Sequence, residues 1–171
     1  MSRFIAILTK WTVHALRAAT GLAFAILMVA VLIQVFGRSV IGASPVWTEE
    51  LARFSLLYLA GFGAGLAIMS GDLVNVDLIA ESLPDPMPFV LRLLAACTTF
   101  AFAALLIGPA WRYVSIGVRQ TSPALGVRMD YIHFSIMALL LSLALFAGLR
   151  VIGMILGTSD GLPDTRPEHD T

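Results

Sequence analysis

The sequence has one cysteine, Cys97, and few charges of any kind. A lone thiol closes no intramolecular disulfide and cannot build a CxxC redox or zinc motif, so cysteine usage does not indicate the compartment. Charged residues make up 13% of the 171, against roughly 25% in a soluble domain. The ordinary solvated surface cannot be assembled from so few. Formal net charge is zero, which argues against a nucleic-acid partner, since that requires a basic stripe.

Apolar sequence takes the place of charge, with 58% hydrophobic residues and a mean hydropathy of +0.89. Its distribution carries the argument. Twenty residues without Asp, Glu, Lys or Arg separate Arg17 from Arg38, 18 separate Arg53 from Asp72, 19 separate Arg92 from Arg112, and 19 separate Asp130 from Arg150. A helix needs about 20 apolar residues to cross a hydrocarbon core of about 30 Å. Each block must cross as a helix, because lipid offers no partner for free backbone N–H and C=O groups. A soluble all-α core would show helices with polar faces, and these blocks show none. The first block is read as a retained span and not a signal peptide. It exceeds the usual h-region of about 7 to 15 residues, and Ile41-Gly42-Ala43 is a poor small-x-small cleavage site.

The expected fold class is therefore all-α integral membrane, with four transmembrane helices and a short amphipathic N-terminal segment. Residues 1–17 form that basic segment, 18–157 the membrane domain with helices over about 18–37, 45–70, 89–112 and 130–157, and 158–171 a polar tail. In 1–17, Arg3, Lys10, His14 and Arg17 share one helical face while Phe4, Ile7, Leu8, Trp11 and Ala15 share another. That pattern suits the membrane surface or a partner, and a plain extension of the first helix fits as well. Ser44-Pro45 reads as an N-cap followed by proline at the first helical position, with Glu49 and Glu50 placed where the helix dipole favours anions. In 71–88, Asp72, Asp77 and Glu81 alternate with apolar residues before Pro84, Pro86 and Pro88 break any helix. Pro123 and Gly126 mark the last connection.

Four crossings put both termini on one side. The positive-inside rule is almost silent, with six Lys/Arg on the terminal side against five on the other. The basic trio before the first block points the termini inward. Trp47, Trp111, Tyr113 and Tyr131 gather at the opposite face, as an interfacial aromatic belt would. Gly61-x-x-x-Gly65 and Gly153-x-x-x-Gly157 have the spacing that lets helix backbones approach closely in lipid. Packing within the chain is the first reading of these, and docking of another chain the second.

An ionisable group in the bilayer core costs about 2.5–3.5 kcal/mol on insertion scales and usually marks an ion or substrate path. The middle of every block lacks one. Gln34 is the strongly polar side chain inside the first block and is read as a helix–helix hydrogen bond. Broken helices and internal repeats, which secondary carriers build around a midplane site, are not evident apart from Gly108-Pro109. His14 and His133 begin helices that start on opposite sides, which does not suit paired haem ligands. No catalytic, cofactor-binding or metal-binding residue is assigned, and no cofactor is expected. The remaining chemistry is at the start of the second helix, where Glu49, Glu50 and Arg53 stand at i,i+3 and i,i+4 and predict an intrahelical ion pair. Two acids against one base leave a carboxylate for another contact, such as a partner arginine. A water-level cluster anchoring the helix end is the plainer alternative.

Trp47-Thr48-Glu49-Glu50-Leu51-Ala52-Arg53, with Gly63-Ala64 half a helix later, resembles the small membrane subunit of TRAP (tripartite ATP-independent periplasmic) transporters, the DctQ-type small permease. Leu73-Val74-Asn75-Val76-Asp77 matches that family's H-I-x-V-D-like stretch, and Gln120-Thr121-Ser122-Pro123-Ala124-Leu125 its Q-x-S-P-A-L-like turn. The family's usual histidine falls on Leu73, and Met69, Ser70 and Asp72 stand where a basic residue is often found. The resemblance implies a non-catalytic scaffold beside a large multi-spanning permease subunit, in sodium-coupled uptake of an organic acid or similar solute. A periplasmic substrate-binding protein would deliver that solute. It implies a bacterial inner membrane, with membrane lipids around the chain and both termini cytoplasmic. Trp47, Glu49, Glu50, Arg53, Gly61, Gly65, Asp77, Gln120, Ser122 and Pro123 are the candidates for subunit contact or helix anchoring. A stand-alone four-helix scaffold or homo-oligomer, unrelated to transport, is the alternative reading.

Overall fold

A computed structural model describes residues 2–70 and 87–157. Asp77, Asp72 and Leu73, with the rest of 71–86, and the tail from 158 lie outside the described residues. The described chain is 87% helical and contains no strand. α1 spans Ser2–Phe36, α2 Val46–Ser70, α3 Met87–Gly117 and α4 Met129–Ile155. Each is long and apolar enough to cross a membrane, with mean hydropathies of 2.4, 1.6, 2.2 and 2.2 over its span.

α1 is continuous from the basic N-terminal residues into the first apolar block, because no proline interrupts the backbone ladder. Thr20 folds its hydroxyl onto the Leu16 carbonyl at 2.8 Å, so even this polar side chain is satisfied within the helix. The helix then widens into a π-type turn, Gly37–Ile41, and stops at Gly42, whose φ of 76° is the left-handed geometry that glycine adopts without strain. Four residues later α2 begins. Ser44 makes no cap bond. Thr48, fully buried, donates its hydroxyl to the Pro45 carbonyl at 2.6 Å and its N–H to the same oxygen at 3.1 Å. The expected cap therefore shifts by one residue, with Pro45 at the boundary instead of inside the helix. Pro88 falls in the first turn of α3, where a missing N–H costs nothing, whereas Pro109 lies inside that helix.

Burial distinguishes the helices. Among the α1 residues whose burial is described, Thr9, Thr12, Val13, Leu16, Ala19, Thr20, Ala23, Leu27, Ala30 and Gln34 are turned from the surface, and from Thr20 onward, continuing to Gly37 of the π-type turn, they alternate steps of three and four. That is the narrow seam of a coiled-coil-like contact. α3 repeats the theme with buried Ala96, Ala103, Ala110 and Gly117, one every seven residues. The other faces of both helices are apolar and exposed: Leu22 is 63% exposed and Leu105 76%. In water such faces would be an aggregation liability, and in a bilayer they meet lipid or another apolar helix. α4 is the most buried of the four, with 33% of its span buried against 22% for α2 and 11% for α1 and α3.

The chain divides into two compact units, Met1–Gly63 with Pro109–Leu139, and Ala64–Gly108 with Leu140–Thr171. In the first, α2 meets α4 at Gly61, where a Cβ would come within 2.8 Å of the Ser135 carbonyl oxygen. Nearby, Tyr58 donates its hydroxyl to the Tyr131 carbonyl and its ring lies 5.6 Å from that of Phe62. In the second unit a Cβ on Gly65 would come within 2.6 Å of the Ser142 hydroxyl, and the Phe100 ring of α3 lies over Gly148 of α4, 3.1 Å from where a Cβ would stand. Small residues thus mark each close approach, as helix packing in lipid favours.

Candidate functional site

The most developed polar site belongs to the first unit, where α2 begins and the loop from α3 to α4 turns back. Glu50 is in the second turn of α2, and its carboxylate reaches this loop. One oxygen, Oε2, accepts hydrogen bonds from the Ser122 hydroxyl at 2.8 Å, the Leu125 N–H at 2.9 Å and the Ala124 N–H at 3.2 Å. Successive N–H groups in a tight turn make a concave site for an anion, and this one is filled by the chain's own carboxylate. A charged acceptor forms stronger hydrogen bonds than a neutral one.

The loop is shaped to receive that carboxylate. Ser122 N–H bonds the Val127 carbonyl at 2.8 Å, and Gly126 N–H bonds the Ser122 carbonyl at 3.1 Å. Thr121 and Arg128 pair as an isolated antiparallel bridge. Gly126, with φ of 66°, lets the chain reverse. Ser122 is buried, while Gln120 and Pro123 stay exposed.

Glu49, one residue earlier, has a different environment. It faces outward and meets Arg53 at 3.1 Å, an i,i+4 pair with both side chains about two-thirds exposed (64% and 65%). Such a pair contributes about 0.3–0.5 kcal/mol. The structure therefore brings Glu49 to Arg53 and Glu50 to Ser122 and its loop. Trp47 is 38% exposed at the start of the same helix. Gly61 and Gly65 stand at the approaches to α4 described above. Asp77 is outside the described residues.

Several contacts here are not evident from the sequence. Gly117 ends α3 where a Cβ would lie 2.6 Å from both the Asp130 N–H nitrogen and the His133 Nδ1. His133, buried, directs Nδ1 at the Tyr113 carbonyl at 3.1 Å, which requires the proton on that nitrogen, and stacks on the Tyr113 ring at 3.9 Å. Arg128 grips Asp130 through two bonds, of 3.1 and 2.7 Å. The seven-residue spacing of Ala96, Ala103, Ala110 and Gly117 was the available signal for Gly117. No signal singles out Tyr113 as the partner of His133. Among the described residues no group of three His, Cys, Asp or Glu side chains could hold a metal.

These features define a multi-pass membrane protein whose main polar site holds its own loop in place. The comparisons with known proteins give the family. The profile of the family described as "Tripartite ATP-independent periplasmic transporters, DctQ component" matches residues 27–157. The chain belongs to that family and is a small permease subunit of a TRAP transporter. It is also similar to the "Isethionate TRAP transporter permease protein DctMQ" of Oleidesulfovibrio alaskensis, 26% identical over 121 residues. That alignment covers 65% of this chain and 19% of the relative, so the chain spans about a fifth of the curated relative it matches.

Proposed function

We propose that the chain is the non-catalytic scaffold of a TRAP transporter, bound beside a large multi-spanning permease subunit that holds the substrate and coupling-ion sites. The observation that carries this reading is the family match across 27–157 in a chain whose spans have no charged residue near their middles. A subunit that handled an ionic solute or a cation itself would need polar groups at that depth. In this reading the chain lies in a bacterial inner membrane with both termini cytoplasmic. The start of α2 and the Gln120–Arg128 loop then face the periplasm, where a soluble substrate-binding protein arrives. Uptake is sodium-coupled, and the solute is an organic acid or a similar organic anion, the class to which the isethionate in the relative's name belongs.

The test is a tagged purification in mild detergent, with mass spectrometry of the co-eluting chains, followed by uptake in proteoliposomes with and without a sodium gradient. Stoichiometric recovery of a large permease and gradient-dependent uptake are expected. A chain that elutes alone despite co-expression with that permease overturns the scaffold reading. Uptake indifferent to sodium overturns only the coupling.

A further inference from the structure

No Asp or Glu precedes Glu49, so every charged side chain on α1 is basic. Lys10, His14 and Arg17 follow one another along that helix at steps of four and three. With 3.6 residues per turn they fall within an arc of roughly 60° and form one ridge. All three are exposed. Among the described residues neither Lys10 nor Arg17 contacts a carboxylate. His14 turns Nδ1 back to the Lys10 carbonyl at 2.8 Å, which requires the proton on that nitrogen and keeps the ring on the ridge.

Another side of the same turns is committed inward. Val13 is buried, and half-buried Thr9 and Thr12 each make a polar contact within the chain. The ridge is therefore carried by a packed helix and not by a loose tail, and little ordering remains to oppose binding. Its depth follows from the first apolar block. Arg17 closes the 20-residue stretch that reaches Arg38, so its guanidinium stands at the edge of the hydrocarbon. At 1.5 Å per residue, His14 lies about 4.5 Å beyond Arg17, Trp11 about 9 Å and Lys10 about 10 Å. A headgroup layer is about 5–7 Å thick on each side, which leaves Lys10 within a Debye length, about 8 Å, of its outer surface. The ridge thus crosses the layer that holds the lipid phosphates. Trp11, 74% exposed beside it, stands near the interface that an amphipathic ring prefers.

We propose that this ridge is a binding site for anionic phospholipid, with Arg17 and His14 among the phosphates of the leaflet and Lys10 above them. Successive cations with no acid between them attract net negative charge, which phosphatidylglycerol offers and a zwitterionic headgroup does not. Each lysine or arginine near an anionic surface favours binding about fivefold. The site fixes how deeply α1 sits and so holds this end of the helix in register with the bilayer. The lipid chemistry is independent of the scaffold reading above. Only the identity of the leaflet, the cytoplasmic one, rests on it.

The experiment places the full chain in nanodiscs of equal parts phosphatidylglycerol and phosphatidylcholine, releases it, and counts the retained lipids of each kind by native mass spectrometry. The wild-type chain is expected to retain phosphatidylglycerol in preference, and less of it as salt rises. Lys10→Gln and Arg17→Gln should each lower that preference up to about fivefold, and the double variant about tenfold or more. Lys10→Arg and Arg17→Lys should keep it. Because these side chains are exposed, the melting midpoint is expected to be unchanged and serves as the control for folding. No preference in the wild type, or an equal preference in the double variant, overturns the site. Displacement of the lipid by soluble glycerol phosphate also overturns it, since the ridge would then be an anion site indifferent to the membrane. So does a double variant that keeps its lipids but no longer co-purifies a large subunit, because the ridge would then meet an acidic protein segment. Failure of the wild-type chain to recover a large permease removes the scaffold reading and leaves the lipid result standing.

Discussion

The two faces of α2 show how one helix separates folding from contact. The inward face carries Thr48, Glu50, Ser55, Gly61 and Gly65, each matched to a specific neighbour or buried. The outward face carries Glu49, Arg53, Leu56, Leu57 and Ala60, all exposed, with a single solvated ion pair among them. Glu49 and Glu50 are chemically equal neighbours about 100° apart on the helix. One is enclosed by three donors from a distant loop and the other is left to one arginine. The sequence motif treats them as a pair, and the fold gives them different tasks.

The comparison can be broken most severely from the inward side. Gly61→Leu should abolish recovery of folded chain or cost well over the usual 1–3 kcal/mol of core overpacking, because the Ser135 backbone already stands 2.8 Å from the new Cβ. Detergent-solubilised yield and thermal aggregation would show it. Gly117→Val should be nearly as damaging, since it meets the Asp130 backbone at 2.6 Å. Next comes the loop clamp. Glu50→Ala should leave the helices formed but raise hydrogen exchange at the Ala124 and Leu125 amides, which lose their acceptor. Ser122→Ala, which removes one of three donors, should produce a smaller rise, with about 1 kcal/mol lost. The smallest effect on stability belongs to Glu49→Gln or Arg53→Gln, at most about 0.5 kcal/mol. If either of these sharply reduces co-purification of a large subunit while the melting midpoint stays fixed, the outward face of α2 is a contact surface. If neither does, the outward face is solvated or lipid-facing and the comparison is one-sided.

The helices were legible because charge is costly in a bilayer, so the gaps between charged residues outline the spans. The ends were less so. The length of α1 depends on the absence of a breaker before residue 18, and the π-type turn at Gly37–Ile41 has no composition of its own. Glu50 and Ser122 were each singled out, one from a charge surplus and the other from a family motif. Nothing in a separation of 72 residues pairs them. That contact exists because short connections bring the start of α2 and the α3–α4 loop to the same end. Gly61 and Gly65 were readable as close approaches, but the identity of the facing helix was not. The seams of α1 and α3 were present in the sequence as alanine and glycine every seven residues, obscured by a composition in which alanine is common.

The short link after Gly42 has a consequence for biogenesis. α2 is the least hydrophobic of the four spans, at 1.6 against 2.4 for α1, and its early turns carry Glu49, Glu50 and Arg53. Ionisable residues penalise partitioning at the translocon. With only four residues between the π-type turn and Val46, α1 and α2 have no room to enter the bilayer as independent events. They are expected to insert as a helical hairpin, the greasier arm carrying the weaker one across. A longer hydrophilic link at Ala43 would then strand α2 outside the membrane, a defect in targeting and not in folding, and a glycosylation site placed in the link would report it.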